Sequence, residues 1–130
     1  MTRVLAFDHG EARCGVAISD PTGTLATPLD PLMAPDTRKG LDRVRVLVED
    51  TGAECVVVGL PVGLSGSDTD QTRAPRAFAA RLSEVLSVPV ELYDERFTTK
   101  IAARTGGKAS EDSRAAAVLL EEWLATRPNG

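Results

Sequence analysis

The residues of this sequence best suited to chemistry are carboxylates set at the ends of strand-like runs. Asp8 closes the apolar run "RVLAFD", Glu95 follows "VPVELYD", and Asp112 stands near the start of a helical pattern. Grouped carboxylates repel one another, so a cluster of them calls for hard cations, and Mg²⁺ and Mn²⁺ prefer oxygen donors. Two such ions about 3.5–4 Å apart can activate a water and stabilise the leaving oxygen in phosphodiester cleavage. Each acid also has an ordinary reading. Asp before His9-Gly10 is common turn chemistry, a strand-end Glu is commonly solvated, and a first-turn Asp is favoured by the helix dipole. Asp94 is an alternative to Glu95, because adjacent residues on a strand point to opposite faces.

The elements around these acids decide whether they can meet. Residues 3–8 are apolar on both faces, as expected of a central strand. Residues 13–19 ("RCGVAIS") read as a second strand, and "DPTG" at 20–23 as a type I turn. A third strand follows through "TLATPL", completing an antiparallel meander. Residues 37–51 carry Leu41, Val44, Leu47 and Val48 at helical spacing, and Gly52 is a stop signal. "ECVVVGL" at 54–60 is a short buried strand. A helix over 72–87 places Ala74, Ala77, Phe78, Leu82 and Val85 on one face, with Pro75 in its first turn. A strand at 88–94, a short helix from Thr98 or Thr99 to Gly106-Gly107, and a last helix over 110–126 capped by Ser110 complete the chain. The order is β-β-β-α-β-α-β-α-α, which gives an α/β fold with a mixed five-stranded sheet and helices on both faces.

In such sheets ligands gather at the carboxyl ends of strands. Asp8 lies at one of these ends, and so do Gly59-Leu60-Pro61 and Asp94-Glu95. Asp112 falls three and four residues before Ala115 and Ala116, part of the apolar stripe with Leu119, Leu120 and Trp123, which puts it on the inward side of the last helix. The topology thus lets acids from the first strand, the last strand and the last helix converge.

Basic residues are placed to suit a polyanion. Arg96, Lys100, Arg104 and Lys108 recur every fourth residue, although Gly106-Gly107 interrupts any helix, so only the earlier members share a face. Arg73 and Arg76 open a helix after the loop "GLSGSDTDQT", and helix N-termini favour anions. Phosphate-backbone contact is the functional reading of both groups, and a solvated helix surface the ordinary one. His9 is the only histidine, which excludes a His-rich zinc site and leaves a His-based triad unsupported; a turn position is its ordinary reading, and a role supporting the site or shuttling protons the alternative. With three Phe, one Tyr and one Trp, a platform stacking many bases is not expected.

Composition sets the frame. At 130 residues, 42% hydrophobic and 26% charged, one domain over 1–130 is expected. The formal net charge of −4 argues against nucleic acid in bulk, but local distribution and bound cations override bulk charge. No apolar run approaches a membrane span, no signal-peptide pattern opens the chain, and Cys14 and Cys55 lack metal-type spacing. A cytoplasmic protein with two buried thiols is expected.

With these residues assembled, the chain resembles the YqgF/RuvX family, RNase H-like proteins described as Holliday-junction resolvases or nucleases of precursor small-subunit ribosomal RNA. "LAFDHGEARCGVAISD" is similar to the family's opening motif and "VVVGLPVGLSGSDTDQTRAPRAFAARL" to its central one. "VELYDERFTT" resembles the third, and "DSRAAAVLLEEWL" the closing helix. The resemblance implies an RNase H-like fold and acidic catalytic, metal-binding positions at Asp8, Glu95 and Asp112, served by Mg²⁺ or Mn²⁺. It implies pre-16S rRNA maturation, branched-DNA junction cleavage, or both. Arg73, Arg76, Arg96 and Lys100 are the candidates for holding the nucleic-acid backbone, RNA or DNA, and a homodimer would suit junction cleavage. His9 departs from the family pattern, where an aromatic residue, commonly Tyr, is usual, and the segment between Thr99 and Asp112 is about ten residues shorter than expected.

A non-catalytic nucleic-acid or ribosome-associated module on the same fold is the competing reading, distinguished by binding without cleavage. A phosphotransferase of the actin and sugar-kinase class shares a phosphate loop like "DHG" between two strands. It needs two domains, for which 130 residues are too few.

Overall fold

The first strand explains the rest of the architecture. β1 (Val4–Asp8) buries Val4, Leu5, Ala6 and Phe7 completely, which demands a neighbour on each edge and cover on each face. The computed structural model describes residues 3–10, 12–60, 70–94 and 111–126. In it, β2 (Arg13–Ser19) and β3 (Ala26–Met33) continue from β1 as antiparallel strands. β4 (Cys55–Leu60) and β5 (Val90–Asp94) lie parallel on its other side. The five strands form one mixed sheet in the order β3-β2-β1-β4-β5.

Strand alternation divides the core into two layers. Leu5 and Phe7 of β1 join Val56, Val58 and Cys14 beneath helices α1 (Arg38–Thr51) and α2 (Asp70–Val85). Val4 and Ala6 point the other way, with Ala17, Cys55 and Val57, against helix α3 (Glu111–Ala125). Ala116, Ala117, Leu119, Leu120 and Trp123 form the buried stripe of α3. Helices therefore cover both faces, as the sequence predicts. Cys14 and Cys55 are buried thiols in opposite layers.

Several element boundaries and one helix face differ from the sequence reading. The third strand runs from Ala26 to Met33 rather than through "TLATPL" alone. It continues past Pro28 and Pro31 because it is an edge strand, where a missing N–H costs no central ladder bond. Helix α1 begins at Arg38, with Thr37 as the cap: the Thr37 hydroxyl accepts from Gly40 N–H at 3.1 Å. It ends at Gly52, as expected. Helix α2 begins at Asp70 instead of residue 72, so Pro75 lies inside the helix and not in its first turn. Its buried face is Pro75, Phe78, Ala79 and Leu82, whereas Ala74, Ala77 and Val85 are exposed. Both faces satisfy a 3.6-residue period, and burying the Pro75 ring with Phe78 removes more apolar surface than burying Ala74. The last strand begins at Val90, two residues later than expected. The short helix expected over residues 98–107, and Ser110, lie outside the described residues.

Candidate functional site

The site is built at the carboxyl edge of β1. Asp8 is the last residue of that strand and pairs with Gly15 of β2. Val4 and Ala6 face α3, so alternation turns Asp8 toward the same side, where it is half-buried. The partner residue, Gly15, is buried and carries no side chain to crowd that face.

Helix α3 is pinned to the sheet at two points that fix its direction. Near its start, Val16 N–H donates to Ser113 Oγ at 3.2 Å, and Ser113 is fully buried. Farther along, Ala26 N–H donates to Glu121 Oε2 at 3.1 Å. Val16 pairs with Phe7, one residue before Asp8, whereas Ala26 begins β3 at the opposite sheet edge. The helix therefore starts at the Asp8 end. Asp112 stands in its first turn, immediately before Ser113. The backbone thus sets the start of α3 beside the end of β1.

The remaining sequence candidates fall as follows. β5 ends at Asp94, paired with Leu60 at the carboxyl edge of β4; Glu95 itself lies outside the described residues. Arg73 and Arg76 are exposed on the first half of α2. Parallel β4 and β5 joined through α2 require that helix to run against the strands, so its start lies at the same carboxyl edge. Arg96 and Lys100 lie outside the described residues. Among the described residues, no group of three or more His, Cys, Asp or Glu side chains is arranged to hold a metal ion.

Two features of this edge escape sequence reasoning. Ser113 is one, although its signal was present: it lies three and four residues before the buried Ala116 and Ala117, a position where a hydroxyl must find a partner. His9 is the other. One residue beyond Asp8, it faces the opposite layer, and its side chain is only 2% exposed. Its Nε2 lies 2.9 and 3.0 Å from the two carboxylate oxygens of Asp36. Its ring packs on Phe78 of α2 at a centroid distance of 5.1 Å, and Phe78 in turn meets Phe7 edge-on at 6.0 Å. Beside it, a Cβ on Gly10 would stand 2.5 Å from the Arg13 carbonyl oxygen, so the tight return into β2 needs glycine there.

This architecture is of the RNase H-like class. The chain superposes on RuvC of Thermus thermophilus bound to a Holliday junction, with a TM-score of 0.58, 15% identity, and coverage of 97% of this chain and 95% of that one. A second Thermus thermophilus RuvC structure gives a TM-score of 0.59 at 14% identity, covering 96% and 95% of the two chains. Residues 2–126 match the RuvX family, described as Holliday junction resolvase, and the chain belongs to that family. Relatives named as candidate pre-16S rRNA nucleases include one from Thermobifida fusca, 44% identical over 94% of this chain and 86% of its own length. Another, from Gloeobacter violaceus, is 37% identical over 95% of this chain and 84% of its own length. Family membership makes the chain a nuclease, and nucleic acid its substrate class. Among the described residues no helix is long and apolar enough to cross a membrane.

Proposed function

We propose that the chain is a divalent-metal-dependent nuclease of one domain over residues 1–130, in which Asp8, Glu95 and Asp112 hold Mg²⁺ or Mn²⁺. The observation that carries the reading is the bond between Val16 N–H and Ser113 Oγ. It fastens the first turn of α3, and with it Asp112, beside the end of β1, where Asp8 faces the same layer. Three carboxylates supply only oxygen donors, the donor set suited to hard cations and ill suited to zinc or copper. When bound there, such ions would supply activation of the attacking water and stabilisation of the leaving oxygen.

The protein groups do the positioning. Asp8 is fixed by the ladder to Gly15, and the α3 anchor holds the backbone that carries Asp112, so the two segments need no rearrangement when substrate arrives. Arg73 and Arg76, exposed at the same sheet edge, contact phosphates of the strand and set its register without reading bases. Arg96 and Lys100 extend that contact from the segment following β5. The substrates that fit the family are precursor 16S rRNA, cleaved in maturation of its 5′ end, and branched DNA junctions.

The test compares wild type with Asp8→Asn on labelled precursor RNA, single-stranded DNA and four-way junctions, with and without Mn²⁺. Cleavage by wild type that requires Mn²⁺ and is lost in Asp8→Asn supports the reading. Metal-independent cleavage, or full activity in Asp8→Asn, rejects it. Binding of any of these substrates without cleavage under all conditions would establish the non-catalytic module instead.

A further inference from the structure

The proposed metal site uses Asp8 but gives no role to the residue beside it. His9 is the only histidine of the chain, it is almost wholly buried, and all of its described contacts are with segments remote in sequence. Asp36, its hydrogen-bond partner, belongs to the connector between β3 and α1, 27 positions away. An ionised carboxylate only accepts, so Nε2 carries the hydrogen and donates it to Asp36. Asp36 is held in turn by α2: Arg81 Nη1 lies 3.9 Å from its Oδ1 and donates to its backbone oxygen at 3.3 Å.

The connector is attached to the Asp8 turn a second time. Ala34 N–H donates to the Ala12 carbonyl at 2.9 Å. Ala34 adopts a left-handed backbone, φ 49°, a conformation that a non-glycine residue keeps only where its surroundings over-determine it. Those surroundings are visible: the Ala34 carbonyl accepts from the Thr37 hydroxyl at 2.7 Å, and the same hydroxyl caps α1. The turn between β1 and β2 is thus clamped from outside at Ala12 and at His9, and the clamp is rooted in two helices.

We propose that His9 and Asp36 are a positioning pair that holds the Asp8 carboxylate in its metal-binding place and ties it to α2, the helix bearing Arg73 and Arg76. This rests on the reading of Asp8 as a metal ligand. The pair touches neither metal nor substrate. It acts through the backbone of one residue, because Asp8 and His9 point to opposite faces of the sheet and cannot be turned independently.

The test measures Mn²⁺ affinity of the intact chain by electron paramagnetic resonance of free Mn²⁺, beside kcat and KM for cleavage. His9→Phe keeps the packing on Phe78 and loses the donor; Asp36→Ala loses the acceptor at a half-exposed site. Each should weaken Mn²⁺ binding and lower kcat by about 10-fold, the lower end found for groups that orient metal ligands, with KM unchanged. The double variant should be no worse than either single one, and Asp36→Asn, which keeps an acceptor oxygen, should recover most of the loss. Asp20→Asn, at the far turn, is the control that leaves both quantities alone. Wild-type Mn²⁺ affinity and kcat in His9→Phe and Asp36→Ala, with only thermal stability lowered, would reduce the pair to a structural contact. So would losses that multiply in the double variant. Wild type that binds no Mn²⁺, or binding that survives Asp8→Asn, overturns the metal-site reading itself and the inference with it.

Discussion

The turn after β1 and the turn after β2 each follow an aspartate at a strand end, and they are held in opposite ways. At the far turn, Asp20 closes on itself. Its carboxylate accepts from the Thr22 hydroxyl at 2.7 Å and from the backbone N–H groups of Thr24 and Leu25 at 3.0 and 3.1 Å. Gly23, with φ 73°, donates to the Asp20 carbonyl at 3.0 Å. Every one of these bonds is made within six consecutive residues. At the near turn the described ties to His9 and Ala12 come from Asp36, Phe78 and Ala34. A turn whose aspartate is consumed by its own backbone is a structural turn. One that recruits a connector and a helix to hold it has been fixed for a reason beyond chain reversal.

The comparison breaks most sharply on the aspartates themselves. Asp8→Asn should reduce cleavage by about 10³-fold, equivalent to losing several kcal/mol of charge stabilisation, whereas Asp20→Asn should cleave as wild type does; parallel initial-rate assays decide. Equal losses would mean that the two turns do not differ in function. Next is the anchor that brings α3 to the near turn. Ser113→Ala leaves the buried Val16 N–H without its acceptor, which should cost about 1–3 kcal/mol in urea denaturation. Cleavage should fall by more than the folded fraction does.

Smaller still is the contribution of α2. Replacing Arg73 and Arg76 with alanine should raise KM and leave kcat unchanged. The slope of log affinity against log salt should become shallower by about 1.4–1.8, the value for two phosphate contacts. The smallest effect belongs to the far turn and is one of pH. The bond from the Thr22 hydroxyl, then those from the Leu25 and Thr24 N–H groups, hold the Asp20 carboxyl below the usual aspartate range. The folded pKa is therefore lower than the unfolded one. The resulting stabilisation is complete above about pH 4 and is lost as pH falls through the folded value. Thermal melts should show Asp20→Asn slightly less stable than wild type at neutral pH and with a gentler acid decline, so that the difference closes below about pH 4.

Much of this molecule is legible in its sequence because the relevant signals are local. The doubly buried β1, the "DPTG" turn, the stop at Gly52 and the apolar stripe of α3 each follow from neighbouring residues. So does the order of the described elements, and with it the start of α3 beside the end of β1. What was not legible depends on distant partners. Nothing near His9 announces Asp36 or Phe78, and the choice of buried face on α2 turned on which side of Pro75 the sheet would lie. A helix pattern with alanines at several phases does not specify that side. Ser113 falls between these cases: its spacing was readable, but its partner on β2 becomes evident only when the layers are stacked.

The prolines of β3 have a further consequence, for the molecule at high concentration. The strand forms one border of the sheet, and Pro28 and Pro31 lack the N–H groups that a newcomer strand would need. The ladder is also out of step between Cys14 and Val16, where two residues of β2 span three of β3. A border that is both short of donors and irregular is a poor template for another chain. Strand-to-strand stacking through β3 is thereby discouraged, and the protein can be concentrated with less risk that its sheet grows from that side into a fibrous aggregate.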